Sequence, residues 1–123
     1  MTPGETVTAL IKANEARDID AILGLLTDDV LYENVPMNVM NGHDEVRAML
    51  GPFAEMAEKI EWEILEQVES GDVVMNERVD RFWLEGGHTI ALRVAGVFKV
   101  RGDKIAVWRD YFDLGEFNSQ MPT

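Results

Sequence analysis

Apolar residues in the first part of the chain recur at helical spacing. The first predicted helix begins at Thr2, which can cap it, and Glu5 completes a capping box around a proline suited to the first position. Its inward face is formed by Val7, Leu10, Ile11 and Asn14. A second, short helix is predicted after Asp18. Its inward residues are Ile22, Leu25 and Leu26.

A short strand and a third helix follow. Residues 30–34 are predicted to form the strand, and residues 36–42 are predicted to form a loop. The third helix is predicted to be capped by His43 or Asp44, and Pro52 is expected to kink it or to end its regular part. Its inward residues are Val46, Met49, Leu50 and Phe53.

From Lys59 onward the spacing changes to the alternation of β-strands. Four strands are predicted, over residues 60–68, 73–84, 88–100 and 104–114. Glycine-containing turns are predicted at residues 70–72, 85–87 and 101–103. Helices followed by strands are typical of an α+β domain. We therefore expect N-terminal helices packed on a strongly curved, mostly antiparallel sheet, which forms a cone with an interior pocket.

Length and composition restrict the class of protein. A chain of 123 residues is expected to form a single domain over residues 1–123. Its net charge of −12 argues against nucleic-acid binding, which needs a basic surface, and the absence of cysteine excludes thiolate chemistry. No apolar run reaches about 18–20 residues, so no membrane span is predicted. The first residues do not have the pattern of a signal peptide, so a cytoplasmic location is expected.

Three charged residues lie on strand faces that are otherwise apolar. Successive side chains of a strand point to opposite faces, so Arg78 and Asp80 share a face, and Asp110 lies on the apolar face of the last strand. The apolar residues of these faces are Val74, Phe82 and Leu84 in one strand, and Ala106, Trp108, Phe112 and Leu114 in the other. A buried charge is costly unless it is paired. Such a cluster indicates a functional site.

Four short segments, taken together, resemble the limonene-1,2-epoxide hydrolase family, part of a larger cone-shaped group that includes ketosteroid isomerases. The segments are Tyr-Glu-Asn at 32–34, Asn-Glu-Arg-Val-Asp at 76–80, Gly-Val-Phe at 96–98 and Trp-Arg-Asp-Tyr-Phe-Asp-Leu at 108–114. The resemblance extends over nearly the whole chain. It implies that Tyr32 and Asn34 hold a water molecule. It also implies that Asp80, Arg78 and Asp110 form the catalytic triad.

The residue types suit the opening of an epoxide by water. One carboxylate must take a proton from the water, and one acid must protonate the ring oxygen. We assign Asp110 as the base, Asp80 as the acid and Arg78 as the bridge, because an arginine keeps its charge and holds the ionised partner ionised. One ionised aspartate, one arginine and one protonated aspartate sum to zero charge, which lowers the cost of burial. The reaction needs no cofactor and no metal.

Each of these residues also has a structural interpretation. Arg78 and Asp80 could form a structural ion pair, and Asp110 could be structural as well. Tyr32 could be a core aromatic residue, and Asn34 could be a turn former. The cone could also belong to an isomerase or cyclase of a steroid- or polyketide-like ketone, or to a non-catalytic small-molecule-binding domain. An isomerase needs one carboxylate base and an oxyanion donor, so a second carboxylate bridged by arginine argues against it.

Two further surfaces are predicted. The pocket wall is expected to be apolar and to bind a small hydrophobic epoxide beside the water. Its predicted residues are Leu10, Leu25, Leu26, Met49, Phe53, Val74, Phe82, Leu92, Val94, Phe112 and Phe117.

The outward face of the last strands is also apolar, so we expect it to pair two copies of the chain as a homodimer. That face carries Trp83, Val97, Val107 and Tyr111 beside Glu77, Arg93 and Arg109.

Overall fold

A curved, six-stranded sheet forms the framework of the protein. The computed structural model describes residues 1–121. Its helices are α1 (Pro3–Glu15), α2 (Ile19–Gly24), α3 (Gly42–Met56) and α4 (Leu114–Gln120). Its strands are β1 (Leu26–Val35), β2 (Asn38–Asn41), β3 (Ala57–Ser70), β4 (Val73–Leu84), β5 (Thr89–Arg101) and β6 (Lys104–Tyr111). The predicted α+β cone is confirmed.

The strand order puts the first strand of the chain, β1, beside the last, β6. The order is β2-β1-β6-β5-β4-β3, and every neighbouring pair is antiparallel except β1 with β6. α1 packs across β3, β4, β5 and β6. Its Val7 and Leu10 are fully buried and belong to the same core as Val74 and Phe98 of the sheet. One end of the sheet is therefore filled by α1.

The helix starts follow local capping chemistry. The capping box at α1 is present: the backbone N–H of Glu5 donates to Thr2 Oγ1 at 3.1 Å, and the backbone N–H of Thr2 donates to Glu5 Oε1 at 2.8 Å. Asp18 caps α2 by accepting from the backbone N–H of Ala21. None of the helices within the described part of the chain is both long and apolar enough to cross a membrane.

The predicted loop 36–42 is wrong, because it contains β2. This strand pairs with β1, and its Met40 lies opposite Tyr32 and is buried in the core. The predicted caps of the third helix are also wrong, since α3 begins at Gly42. The residue before it, Asn41, is the N-cap. The carboxylate of Glu45 in the first turn accepts a hydrogen bond from the backbone N–H of Asn41 at 2.9 Å.

The predicted ends of several elements also need correction. Leu26 is the first residue of β1 rather than part of the second helix, and β3 is longer than predicted at both ends. The last strand ends at Tyr111, and α4, which was not predicted, begins after its cap Asp113. α3 continues beyond Pro52 to Met56, and the ring of Phe53 in this last part lies 5.4 Å from that of Phe82 on β4.

Candidate active site

Arg78 lies between two aspartates that come from different strands. Asp80 is two residues further along β4, and Asp110 lies on β6. β5 separates these strands, and its Gly96 lies opposite both Asn76 and Asp110. A Cβ atom on Gly96 would come within 2.6 Å of Arg78 Nη1 and 2.7 Å of Asn76 Oδ1. The glycine therefore leaves the space through which Arg78 crosses β5.

The Arg78 guanidinium donates four hydrogen bonds and makes one further ion-pair contact. Nε and Nη2 donate to Asp80 Oδ1 at 3.0 Å and Oδ2 at 2.9 Å. Nη1 donates to Asp110 Oδ1 at 3.2 Å, and Nη2 lies 3.1 Å from Asp110 Oδ2. The remaining Nη1 hydrogen bond goes to Asn76 Oδ1 at 3.0 Å. The planar guanidinium thus holds both carboxylates in fixed orientations.

Asn76 connects Arg78 to α1. Its Nδ2 donates to Gln67 Oε1 on β3 at 3.1 Å. Gln67 Nε2 in turn donates to the backbone carbonyl of Gly4 and to Thr8 Oγ1, both at 3.3 Å. This chain of hydrogen bonds fixes the Asn76 amide so that its oxygen faces Arg78.

Burial and charge shift the pKa values of Asp80 and Arg78. Burial raises the pKa of Asp80 to about 6; the Arg78 charge opposes this effect, and the Asp110 charge adds to it. Burial lowers the pKa of Arg78, but the two aspartates more than compensate, so this pKa lies above its ordinary value. The arginine therefore stays charged between the two carboxylates.

Tyr32 and Asn34 reach the site through the parallel pairing of β1 with β6. In that register Asn34 lies beside Asp110 and Tyr32 beside Trp108, and the rings of Tyr32 and Trp108 stack at 3.8 Å. Burial raises the pKa of the Tyr32 hydroxyl well above its usual value, and the Asp110 charge adds to this, while a hydrogen bond with the Asn34 side chain lowers it. The phenol therefore stays neutral and can both donate and accept hydrogen bonds.

The two aspartates, Tyr32 and Asn34 line a pocket of about 200 Å³, and Arg78 lies fully buried behind them. This volume is below the range of about 300–1,000 Å³ that is usual for drug-sized ligands, so the pocket suits a small molecule. The predicted wall residues that line it are Met49, Phe53, Phe82, Leu92, Val94, Phe112 and Phe117.

The prediction that Leu10, Leu25, Leu26 and Val74 line the pocket is wrong. Leu10, Leu26 and Val74 are fully buried in the core, and Leu25 packs against that core. The reason lies in the position of α1, which covers the end of β4 where Val74 lies. The end with Phe82 is left open to the pocket.

The whole chain, residues 1–123, matches the family model described as the limonene-1,2-epoxide hydrolase catalytic domain. The chain belongs to this family. The residues that carried the resemblance, Tyr32, Asn34, Arg78, Asp80 and Asp110, are brought to one site by the fold.

Relatives of this limonene-epoxide-hydrolase family member are known in Mycobacterium tuberculosis. The chain is 31% identical to "Epoxide hydrolase EphG" over 110 residues. The matched region covers 88% of this chain and 71% of that protein. A solved structure of an M. tuberculosis LEH-like epoxide hydrolase matches with a TM-score of 0.83 and 30% identity, over 94% of this chain and 86% of the other. A SnoaL-like polyketide cyclase from Shewanella denitrificans shares the fold, with a TM-score of 0.86 at 15% identity, over 96% and 95% of the two chains.

Four residues at or beside the site, Asn14, Arg17, Asn76 and Gly96, were not assigned to it from the sequence. Asn76 lies on the same strand face as Arg78, so the alternation did indicate it. Asn14 lies on the apolar face of α1, where a buried amide is unusual, and it lines the pocket. The space that Gly96 leaves for Arg78 and the place of Arg17 in the pocket wall follow from no local pattern, because both depend on the packing of distant segments.

Proposed function

We propose that this chain opens a small hydrophobic epoxide to a vicinal diol by direct attack of water. The observation that carries the proposal is the bridging of two pocket-lining aspartates by the fully buried Arg78, beside Tyr32 and Asn34. Family membership supports the same reaction class, as do the names of the M. tuberculosis relatives.

In the proposed step, Asp110 takes a proton from a water molecule that Tyr32 and Asn34 hold. The water oxygen then attacks an epoxide carbon, and the bond from that carbon to the ring oxygen breaks. The ring oxygen takes the proton of Asp80, so Asp110 ends protonated and Asp80 ionised. Transfer of one proton back to Asp80 restores the site. With a pKa of about 6, Asp80 holds its proton in about a tenth of the molecules at pH 7.

The proposed rate acceleration comes from Asp110 and Asp80, which are positioned around a fixed water molecule. Holding the water beside the epoxide removes part of the entropic barrier, and effective molarities of well-oriented groups reach about 10⁵ M or more. An apolar wall around the site strengthens the charge interactions within it. An isomerase or cyclase would use only one of the two carboxylates, so it does not account for the bridge.

The source of the diol oxygen tests this mechanism. In a single turnover in water labelled with oxygen-18, the first diol formed is expected to contain one label, because solvent water attacks the epoxide directly. A covalent aspartyl ester would instead transfer enzyme oxygen in the first turnover. Mass spectrometry of the product decides between them, after a panel of terpene, cyclic and styrene-type epoxides has identified a substrate.

The control for the label is a second turnover by the same enzyme. Direct attack gives the same label content in both turnovers. Label that enters only after the first turnover would contradict the proposed mechanism.

We also propose that the outward face of the sheet pairs two copies of the chain. On this face Met75 lies opposite Val97 and is 50% exposed, and Tyr111 is 43% exposed. A two-fold contact would bury these side chains. Sedimentation at low micromolar concentration is expected to give twice the chain mass of 13.9 kDa, and Met75→Lys is expected to shift the protein toward the monomer. A wild-type monomer at that concentration would contradict the pairing.

A further inference from the structure

Arg17 is an arginine in the pocket wall that lacks a carboxylate partner within residues 1–121. Each of the other arginines lies 3.3 Å or less from an aspartate or glutamate oxygen. The chain has 23 acidic and only 11 basic residues, so an arginine without such a partner is unexpected. Arg17 is exposed, which places it where the pocket meets solvent.

The backbone at Arg17 has a conformation that favours glycine. Its φ angle is +57°, the left-handed region that a side chain makes unfavourable. The residue follows the end of α1, and its backbone N–H donates to the carbonyl of Asn14 at 3.0 Å. Glycine is the usual residue after a helix end of this kind. An unfavourable backbone conformation that is kept by a charged residue points to a use of the side chain.

Within residues 1–121, the Arg17 side chain donates one hydrogen bond to the protein. Its Nη1 donates to the backbone carbonyl of Ala57, where α3 ends and β3 begins. Further N–H groups of the guanidinium remain available to a ligand. A guanidinium fork matches the two oxygens of a carboxylate, so its expected ligand is an anionic group of that shape.

Between Arg17 and the two aspartates, the pocket wall is mostly apolar. Asn14 lies three residues before Arg17 and is only 4% exposed, and its Nδ2 donates to the backbone carbonyl of Leu10 at 2.9 Å. The two residues form a polar edge on one side of the pocket. The apolar residues that line it with them are Ile19, Ile22, Phe53, Ala54, Ile60 and Phe82. A ligand that contacts both Arg17 and the two aspartates has a terminal anion, an apolar body and an epoxide.

We propose that Arg17 forms an anion subsite at the pocket mouth, and that the preferred substrate is an epoxide that carries a carboxylate. The proposal rests on the epoxide hydrolysis proposed above. The carboxylate would bind the fork of Arg17 while the epoxide lies against Asp80 and Asp110.

The test compares a small epoxy acid with its methyl ester, which has the same epoxide and the same apolar chain but no charge. Wild-type enzyme is expected to show a higher kcat/KM for the acid. In Arg17→Gln the acid-to-ester ratio of kcat/KM is expected to fall about 10- to 100-fold, mostly through KM, because a charged hydrogen-bonded pair is lost. Arg17→Lys is expected to keep part of the preference, because it keeps the charge.

Two further variants make the result specific. Arg47→Gln removes the same charge from α3, where Arg47 is exposed and paired with Asp20 at 2.9 Å, and is expected to leave the ratio unchanged. Arg17→Gly removes the side chain and suits the left-handed backbone, so it is expected to fold with an unchanged or higher Tm while it loses the preference for the acid. A ratio that stays at the wild-type value in Arg17→Gln and Arg17→Gly would overturn the subsite.

Binding measurements separate this proposal from the proposed reaction. Trp62 lines the pocket, so tryptophan fluorescence can report binding of the diol acid and its methyl ester without turnover. Tighter binding of the acid that is lost in Arg17→Gln supports the subsite even if neither epoxide is hydrolysed. That absence of hydrolysis would count against the reaction alone. Equal binding of acid and ester to wild type would overturn the subsite alone.

Discussion

Replacement of Asp110 by asparagine is expected to lower kcat by about 10³-fold, the usual size of the loss when a general base is removed. The amide has nearly the same shape and still offers an oxygen to Arg78 Nη1, which lies 3.2 Å from Asp110 Oδ1. It cannot, however, take a proton from water. The measurement is the rate of diol formation from a neutral epoxide, accompanied by circular dichroism and thermal unfolding to establish that the variant is folded.

The matched control is Asp103→Asn, in the turn between β5 and β6. Asp103 is exposed, does not line the pocket and is expected to leave kcat at the wild-type value. A folded Asp110→Asn variant with wild-type turnover would end the assignment of this residue as the base.

The partner change, Asp80→Asn, is expected to cause a loss of similar size by removing the acid. Because the pKa of Asp80 is raised to about 6, its proton is present below that pH and is lost above it. The wild-type rate is therefore expected to fall with rising pH above about 6, approaching about tenfold per unit. A wild-type rate that stays constant from pH 6 to 9 would contradict Asp80 as the acid.

Replacement of Gly96 by alanine is also expected to have a large effect. The added Cβ atom would lie 2.6 Å from Arg78 Nη1 and 2.7 Å from Asn76 Oδ1. Arg78 is fully buried and donates four hydrogen bonds, so it cannot move away without losing a contact to Asp80 or Asp110. We expect kcat to fall about 10²-fold from this displacement and the free energy of unfolding to fall by about 1–3 kcal/mol from overpacking.

A second glycine provides the control for this change. Gly51 lies inside α3, and apart from its adjacent residues and its own helix backbone, a Cβ atom there would have no neighbour within 4 Å among residues 1–121. Gly51→Ala is expected to keep activity and to change the free energy of unfolding by less than about 1 kcal/mol, because alanine favours a helix while Pro52 disfavours a Cβ atom on the helical residue before it. Denaturant unfolding and kcat are measured for both variants. Wild-type kcat in Gly96→Ala would show that the triad does not depend on this space.

Features that depend on neighbouring residues follow from the sequence alone. The capping box between Thr2 and Glu5 is specified within four residues, and the structure contains it. Alternation along a strand puts Arg78 and Asp80 on one face whatever lies beside the strand, because successive side chains point to opposite sides. The same periodicity put Asp110 on an apolar face, and all three residues are buried.

Features that join distant segments were decided by the tertiary structure. The parallel pairing of β1 with β6 puts Asn34 beside Asp110, and the place of β5 between β4 and β6 makes Gly96 necessary. α1 covers one end of the sheet, so Val74 belongs to the core while Phe82 faces the pocket. Sequence patterns identify the buried face of an element. Which partner covers that face, and where a gap remains as a pocket, depends on strand order and on long-range packing, which local periodicity does not contain.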